Sequence, residues 1–187
     1  MMLHLLGTHG TSRTRATSIC CSRTFVISQQ GRIGCGAYFW AYESVVEYGI
    51  QLAEAWWKLA KKKNAYAGDA DDSCTVLRVV IKKPEDLNYL DSTEAWFQEA
   101  LFKSINLRSM NDGDTPEITA FLIDQIQDEK ATSYHVVKAR VATPPLVKNQ
   151  KLNAAQKLSK MSNSYIVKKH GLHLIEEIDI LTQGEKK

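Results

Sequence analysis

The chain has 187 residues, of which 44% are hydrophobic, and this is enough to bury the core of one globular domain without requiring a second. No apolar run approaches the roughly 20 residues of a membrane-spanning helix, and the first residues lack the pattern of a signal peptide, so we expect a cytoplasmic protein. The cysteines have no C-x-x-C spacing, which argues against a zinc motif or a disulfide framework and predicts reduced thiols without a metal.

The net charge of +3 is distributed unevenly along the chain. Residues 1–42 contain Arg13, Arg15, Arg23 and Arg32 and no Asp or Glu. The second acid-free segment, residues 130–175, contains Lys130, Lys138, Arg140, Lys148, Lys151, Lys157, Lys160, Lys168 and Lys169. If the two segments are neighbours in the fold, they form a positive surface that attracts phosphates. The alternative is a set of solvated lysines on separate faces, although ordinary mixed surfaces also contain acids.

The first half of the chain predicts strands at residues 3–8 and Phe25–Ser28, followed by a glycine-rich turn at 31–36. Residues 43–63 form the clearest helix, because apolar side chains recur at helical spacing along one side. A strand rich in β-branched residues follows at Cys74–Ile81. The apolar stripe of the helix, which we expect to be buried, consists of Val45, Leu52, Trp56 and Leu59.

The second half predicts two helices and then three strands. Ser92 is a plausible N-cap of the first helix, and the second runs from Pro116 to about Glu129. The strands are Tyr134–Val141, Ser164–Val167 and Leu172–Leu181, with a lysine-rich loop after the first. Elements in this order predict an α+β fold rather than a regular βαβ series. The buried stripe of the first helix should contain Ala95, Trp96, Leu101 and Ile105.

Three segments together carry a family resemblance. The first strand ends in His9-Gly10-Thr11-Ser12, the sequence "GRIGCGAYF" precedes a helix, and the chain closes with "SNSYIVKKHGLHLIEEIDIL". In this order they resemble the NAD-dependent ADP-ribosyltransferases of the H-Y-E class, which includes PARP-like and diphtheria-toxin-like enzymes. The resemblance covers residues 3–57 and 160–182. It implies one ADP-ribosyltransferase-like domain over 1–187, with a split β-sheet core, flanking helices and a helical insertion at about 84–132.

The resemblance also implies that NAD is the substrate and which residues hold it. His9 would bond the ribose next to nicotinamide, Gly10 would pair its backbone with the carboxamide, and the ring of Tyr38 would stack on nicotinamide. Phe39 and Trp40, beside Tyr38, are interpreted as core aromatics.

The residues after Gly10 have possible roles on the rest of NAD. Thr11 or Ser12 would add a hydroxyl to the ribose. Arg13 and Arg15 either bind the pyrophosphate in forked geometry or lie in a solvated loop.

The chain departs from the family at its glutamate. Where the family has N-E-Y-I/V-V, this chain has Asn163-Ser164-Tyr165-Ile166-Val167, so Ser164 occupies the catalytic glutamate position. Synthesis of a polymer is therefore not expected. The work of the glutamate would fall to a carboxylate from elsewhere, to the acceptor, or to Ser164 with water, unless the protein is catalytically inactive. The candidate carboxylates are Glu43, Glu176 and Glu177.

The acid-free segments favour a nucleic-acid acceptor, with Lys148, Lys151 and Lys157 as acceptor-binding residues. The size and the motif order resemble RNA-modifying toxins of bacterial toxin–antitoxin or phage-defence systems, which implies a neutralising antitoxin and in some cases a chaperone. RNA 2'-phosphotransferases share the fold but begin with a winged-helix part. A protein-modifying mono-ADP-ribosyltransferase and a catalytically disabled NAD- or RNA-binding module would also fit this sequence.

His170 and His173 have the i, i+3 spacing of a metal-binding pair. Because no acid or cysteine accompanies them, we expect a solvated loop with one packed ring.

Overall fold

The computed structural model describes residues 3–29, 31, 33–108, 115–148 and 150–181. Its strands are β1 (His4–Ser12), β2 (Ala37–Tyr42), β3 (Cys74–Lys82), β4 (Tyr89–Asp91), β5 (Val136–Ala142), β6 (Met161–Val167) and β7 (Ile175–Leu181). Its α-helices are α1 (Arg13–Ser22), α2 (Val46–Lys62), α3 (Ala95–Arg108), α4 (Thr115–Glu129) and α5 (Ala154–Leu158). The prediction of an α+β fold is confirmed.

The seven strands form one mixed sheet in the order β4-β5-β6-β2-β1-β3-β7. β4 runs parallel to β5, and every other neighbouring pair is antiparallel. The ladder between β1 and β2 covers only three pairs, from Leu6–Tyr42 to Thr8–Trp40. Beyond Thr8, β1 pairs only with β3, and the first half of β2 pairs only with β6. The sheet therefore opens between its two central strands, although its hydrogen-bonded order is continuous.

Apolar clusters cover both faces of the sheet. Successive side chains of a strand point to opposite faces, and in β2 Trp40 joins one cluster while Phe39 joins the other. The first cluster packs under α2, α3 and α4 and includes the fully buried Leu52 and Phe97. Burying a side chain of this size stabilises the fold by about 1.5–3 kcal/mol. Phe39 and Trp40 are both buried, as predicted.

Helix α2 lies directly on β1. A Cβ atom at Gly10 would be 2.0 Å from the Ala53 carbonyl oxygen, and one at Gly49 would be 2.8 Å from Thr8 Oγ1. The helix predicted at 43–63 is confirmed with slightly narrower bounds, and its last turn carries Lys61 and Lys62 at the negative end of the helix dipole.

Three members of the predicted stripe of α2 are not buried, and one of them, Leu59, is half-buried. Leu52 is buried, but Val45 is an exposed N-cap residue and Trp56 is 45% exposed.

The segment 84–132, predicted as a helical insertion, also contains the edge strand β4. α3 and α4 share the core of α2, through Phe97 and Ile123 among others. Ser92 does not cap α3, because its hydroxyl donates to the Lys138 carbonyl (2.9 Å). Trp96, predicted in the buried stripe, is 43% exposed, and its indole N–H donates to the exposed Glu94 (2.7 Å).

Two local predictions are wrong, and helix α1 was not predicted. Residues 25–28 form no strand and contribute only an isolated bridge between Ser28 and Gly36. The segment after the first strand forms helix α1, which the sequence did not indicate. Residues 169–174 form a 3-10 helix, so the last strand begins at Ile175 instead of Leu172. Arg32, counted in the basic segment and in the predicted turn, lies outside the described residues.

Within the described ranges, no helix combines the length and the apolar character needed to cross a membrane.

Candidate functional site

A cavity of about 350 Å³ lies where β1 and β2 separate. Ligand pockets in proteins typically measure about 300–1,000 Å³. Four of the residues predicted for the site line this cavity, and they come from three strands. They are His9 and Gly10 of β1, Tyr38 of β2 and Ser164 of β6.

The imidazole of His9 is fixed by its surroundings. Its Nδ1 atom is 3.0 Å from the Tyr38 carbonyl oxygen, and a carbonyl only accepts, so Nδ1 donates and the neutral ring leaves Nε2 as an acceptor. The rings of Phe25 and Phe39 pack against it, with centroids 5.5 and 5.8 Å away. Burial lowers the pKa of His9, and the hydrogen bond to Tyr38 opposes this only in part. His9 is therefore neutral at pH 7 and can accept a hydrogen bond from a ligand hydroxyl.

The hydroxyl of Tyr38 is occupied by the glycine-rich turn. It accepts from the Ile33 N–H (2.9 Å) and donates to the Gly34 carbonyl (2.7 Å). Gly31 lies against the ring, since a Cβ atom there would be 2.4 Å from Tyr38 Cε2. Burial raises the pKa of Tyr38 to about 12, so the phenol stays protonated. What Tyr38 offers to the cavity is thus ring surface and not a reactive oxygen.

Ser164 is 2% exposed and pairs with Trp40 across the β2–β6 ladder. Its hydroxyl makes no hydrogen bond within the described residues. A serine side chain there can donate to or accept from a bound ligand, but it carries no charge.

No carboxylate is among the described residues that line the cavity. The three candidates to replace the family glutamate lie elsewhere. Glu43 is exposed beyond the end of β2. Glu176 bonds His4 Nε2 (3.0 Å), and Glu177 pairs with Arg78 (3.2 Å).

The residues predicted for the ribose hydroxyl and the pyrophosphate lie outside the cavity lining. They are Thr11, Ser12, Arg13 and Arg15. Arg13 is an exposed residue in the first turn of α1, where its backbone N–H donates to the Ser73 carbonyl (2.9 Å). The geometry gives no support to their contact with NAD.

Three of these residues instead attach α1 to the loop after α2. The hydroxyl of Ser12 accepts from the Arg15 N–H (3.2 Å) as an N-cap and donates to Asp69 (2.5 Å). The guanidinium of Arg15 pairs with Asp69 (2.9 Å) and lies 4.9 Å from the centre of the Tyr66 ring. Thr11 makes a side-chain hydrogen bond with Tyr66. This network has a structural role.

Helix α2 contributes two residues, Trp56 and Leu59, that the sequence interpretation assigned to the buried stripe. Trp56, Leu59 and Lys63 line the cavity, as do Pro144 and Pro145 after β5. The spacing of Trp56 and Leu59 was visible in the sequence, but spacing alone cannot distinguish a core face from a cavity face. Lys63 is the one lysine or arginine among the described lining residues.

The lysine-rich segment 143–160 is fastened to α2 beside the cavity. Asn153 Nδ2 donates to the Gln51 carbonyl (2.8 Å), and the Ala155 N–H donates to Gln51 Oε1 (3.0 Å). Gln156 Nε2 in turn donates to the carbonyl of Pro144, a lining residue (2.8 Å). The predicted acceptor-binding residues are exposed on this segment but do not line the cavity; they are Lys148, Lys151 and Lys157.

The predicted histidine pair is accompanied by a third ring. The centroid of His135 lies 4.9 Å from that of His170 and 5.7 Å from that of His173. Burial and the two neighbouring rings lower the pKa of His135. In the part of the chain that the structure describes, no group of three or more potential ligands is arranged to hold a metal ion.

Comparison of the chain with models of known families, with curated proteins and with solved structures found no match. The functional assignment therefore depends on the residues of the cavity.

Proposed function

We propose that the protein is an NAD-dependent mono-ADP-ribosyltransferase that transfers ADP-ribose to an RNA acceptor and releases nicotinamide. One observation carries the proposal. The opening between β1 and β2 brings His9, Gly10, Tyr38 and Ser164 to a single cavity, and these are the positions that the resemblance assigns to nicotinamide, its ribose and the catalytic glutamate.

In the proposed reaction, the bond between the ribose C1' atom and the nicotinamide nitrogen breaks, and nicotinamide leaves with the electron pair. His9 Nε2 accepts a hydrogen bond from a ribose hydroxyl, and the Tyr38 ring stacks on nicotinamide. Catalysis then comes mainly from positioning while C1' acquires oxocarbenium character.

The acceptor completes the reaction by attacking C1' with a lone pair. Since no carboxylate lines the cavity among the described residues, an acceptor that needs no base fits best, such as an anionic oxygen or an unprotonated ring nitrogen. Any proton released goes to water.

The lysine-rich segment beside the cavity supports RNA as the acceptor, because it contains exposed lysines and no Asp or Glu in its own sequence, and exposed lysines attract phosphates. A role as a toxin of a toxin–antitoxin or phage-defence system follows from the resemblance alone. With it come a cytoplasmic location, a neutralising antitoxin protein and a chaperone, all as proposals.

The test is a cell-free translation reaction given the protein and labelled NAD, with RNA and protein analysed by mass spectrometry. His9→Ala should abolish labelling, and His4→Ala is the matched control, since His4 lies on the same strand but bonds Glu176 at the surface. Label on RNA that requires His9 supports the proposal. Label on protein overturns the RNA acceptor, and the absence of both label and nicotinamide release overturns the enzyme.

The lack of a carboxylate in the described cavity lining favours a second candidate, an NAD-binding module without transferase activity. Calorimetry with NAD distinguishes the two. Binding that depends on Tyr38 and produces no free nicotinamide identifies the module, whereas turnover excludes it.

A further inference from the structure

The wall of the cavity formed by α2 has no role in the proposed cleavage of NAD. Trp56 and Leu59 stand at i and i+3 on one side of the helix, and Lys63, which directly follows the last residue of α2, lines the same cavity. Trp56 is 45% exposed although it lines the cavity. The protein thus keeps a large indole uncovered beside the site.

The neighbouring tryptophan shows the contrast. Trp57 is half-buried, its indole N–H donates to the Asp72 carbonyl (3.2 Å), and Lys61 Nζ lies 5.1 Å from its ring. Trp56 makes no such hydrogen bond within the described residues. Trp57 has a structural role, and Trp56 has surface and an N–H group left for a ligand.

The surroundings of Trp56 indicate the chemistry of that ligand. Lys63 is the cation of the described lining, and Pro144 and Pro145 add apolar surface. The two prolines lead into the segment 143–160 with its exposed lysines, which Gln51 fastens to the same helix. A flat aromatic surface that lines the same cavity as a cation suits a nucleobase with its phosphate, because every base has a face that stacks on an indole.

We propose that Trp56 stacks on a nucleobase and that Lys63 pairs with the phosphate attached to it. The assignment rests on the proposed function, since it names the part of the substrates that this wall receives. Two sources supply the same chemistry, a nucleotide of the acceptor RNA and the adenylate half of NAD. The prolines of this wall lead into the lysine-rich segment, and this favours the acceptor RNA as the source of the nucleobase.

The experiment measures equilibrium binding of a labelled single-stranded oligoribonucleotide and, separately, of ADP-ribose. Trp56→Leu should weaken oligoribonucleotide binding about tenfold, and Trp56→Phe should weaken it less, because phenylalanine keeps a smaller stacking face. Trp57→Phe is the matched control and should leave binding unchanged. Circular dichroism verifies that each variant is folded, which the exposure of Trp56 leads us to expect.

A second pair of variants tests the phosphate contact. Lys63→Ala should reduce the slope of log affinity against log salt by about one, and Lys62→Ala, its exposed neighbour outside the described lining, should not.

The outcomes separate the two sources. Loss of oligoribonucleotide binding alone assigns the wall to the acceptor, and loss of ADP-ribose binding alone assigns it to the adenylate half. If the Trp56 variants bind both probes as the wild type does, or if the wild type binds neither, the proposal is overturned. Nicotinamide release from NAD, measured in parallel with His9→Ala, reports on the proposed function separately.

Discussion

At the scale of single residues, Tyr38 combines two roles that substitution can separate. Its hydroxyl holds the glycine-rich turn through Ile33 and Gly34, while its ring lines the cavity. Because the two roles use different atoms, removing the whole ring should reduce activity, whereas removing only the oxygen should mainly reduce stability.

Tyr38→Phe should retain most nicotinamide release, since it keeps the ring, but lower the free energy of unfolding by about 1–3 kcal/mol because two backbone groups lose a partner. Tyr38→Ala should abolish nicotinamide release while the protein stays folded. Steady-state assays and urea unfolding of both variants check this. Full activity in Tyr38→Ala would remove Tyr38 from the site.

The lowered pKa of His9 predicts a dependence of stability on pH. The folded protein holds its ring neutral, while the unfolded chain takes up a proton near the ordinary value of 6.5. As the pH falls below 6.5, the unfolded state therefore binds more protons and stability is lost. Urea unfolding at about pH 7.5 and at about pH 5.5 should show a larger loss for the wild type than for His9→Gln. Equal losses would contradict the prediction, since the other histidines are present in both proteins.

The sequence predicted part of the candidate site but not the contacts between residues that are distant in the chain. His9 and Tyr38 were assigned to the site by the family resemblance, and both line the cavity. Asp69, which Ser12 and Arg15 contact in the structure, is distant from them in the chain, and no local pattern of the sequence reveals that pairing.

At the scale of elements, the sequence failed to predict a helix that buries few residues and a strand that follows a glycine-rich turn. α1 was missed because it buries only Ala16 and Ile19 and is otherwise rich in serine and threonine, so its periodicity is weak. β2 was missed because three glycines precede its aromatic residues, and glycines indicate a turn. In the structure, pairing with β6 makes this segment a strand despite the preceding glycines. The long amphipathic α2 was predicted within a few residues.

The contact of α2 with β1 predicts a strong effect at Gly10. Gly10→Ala places a Cβ atom 2.0 Å from the Ala53 carbonyl, so the helix must move, at a cost of about 1–3 kcal/mol or more. Gly68→Ala is the control, because no atom of the described residues lies within 4 Å of the added atom. Thermal unfolding compares the two, and equal stability would show that α2 tolerates displacement.

At the scale of the whole molecule, the distribution of charge matters more than the net value of +3. The acid-free segment 130–175 supplies β5, β6 and the exposed loop between them, and hydrogen bonds to Gln51 hold that loop beside the cavity. From the sequence, the two acid-free segments predicted a basic surface only if they were neighbours in the fold. Its position next to the opening in the sheet depends on contacts with α2 that only the structure shows.

Reversing three charges of this loop tests the surface as a unit. Glutamate at these positions should weaken RNA binding most at low salt and reduce the salt slope by about 2. The positions are Lys148, Lys151 and Lys157. Substitution of three lysines elsewhere by glutamate should weaken RNA binding less. These control lysines are Lys58, Lys83 and Lys103. Equal effects would mean that net charge alone governs binding.

The separation of β1 from β2 creates a strand edge in the middle of a sheet. Outer edges of sheets invite pairing with other chains and lead to aggregation. Here the opening has α2 on one side and Val26, Ser28 and Gly31 on another, and the cavity between them is about 350 Å³. A space of this size admits a small molecule to the backbone of β1 but has no room for an added strand. The fold thus exposes main-chain hydrogen-bonding groups to ligands while protecting them from other polypeptides.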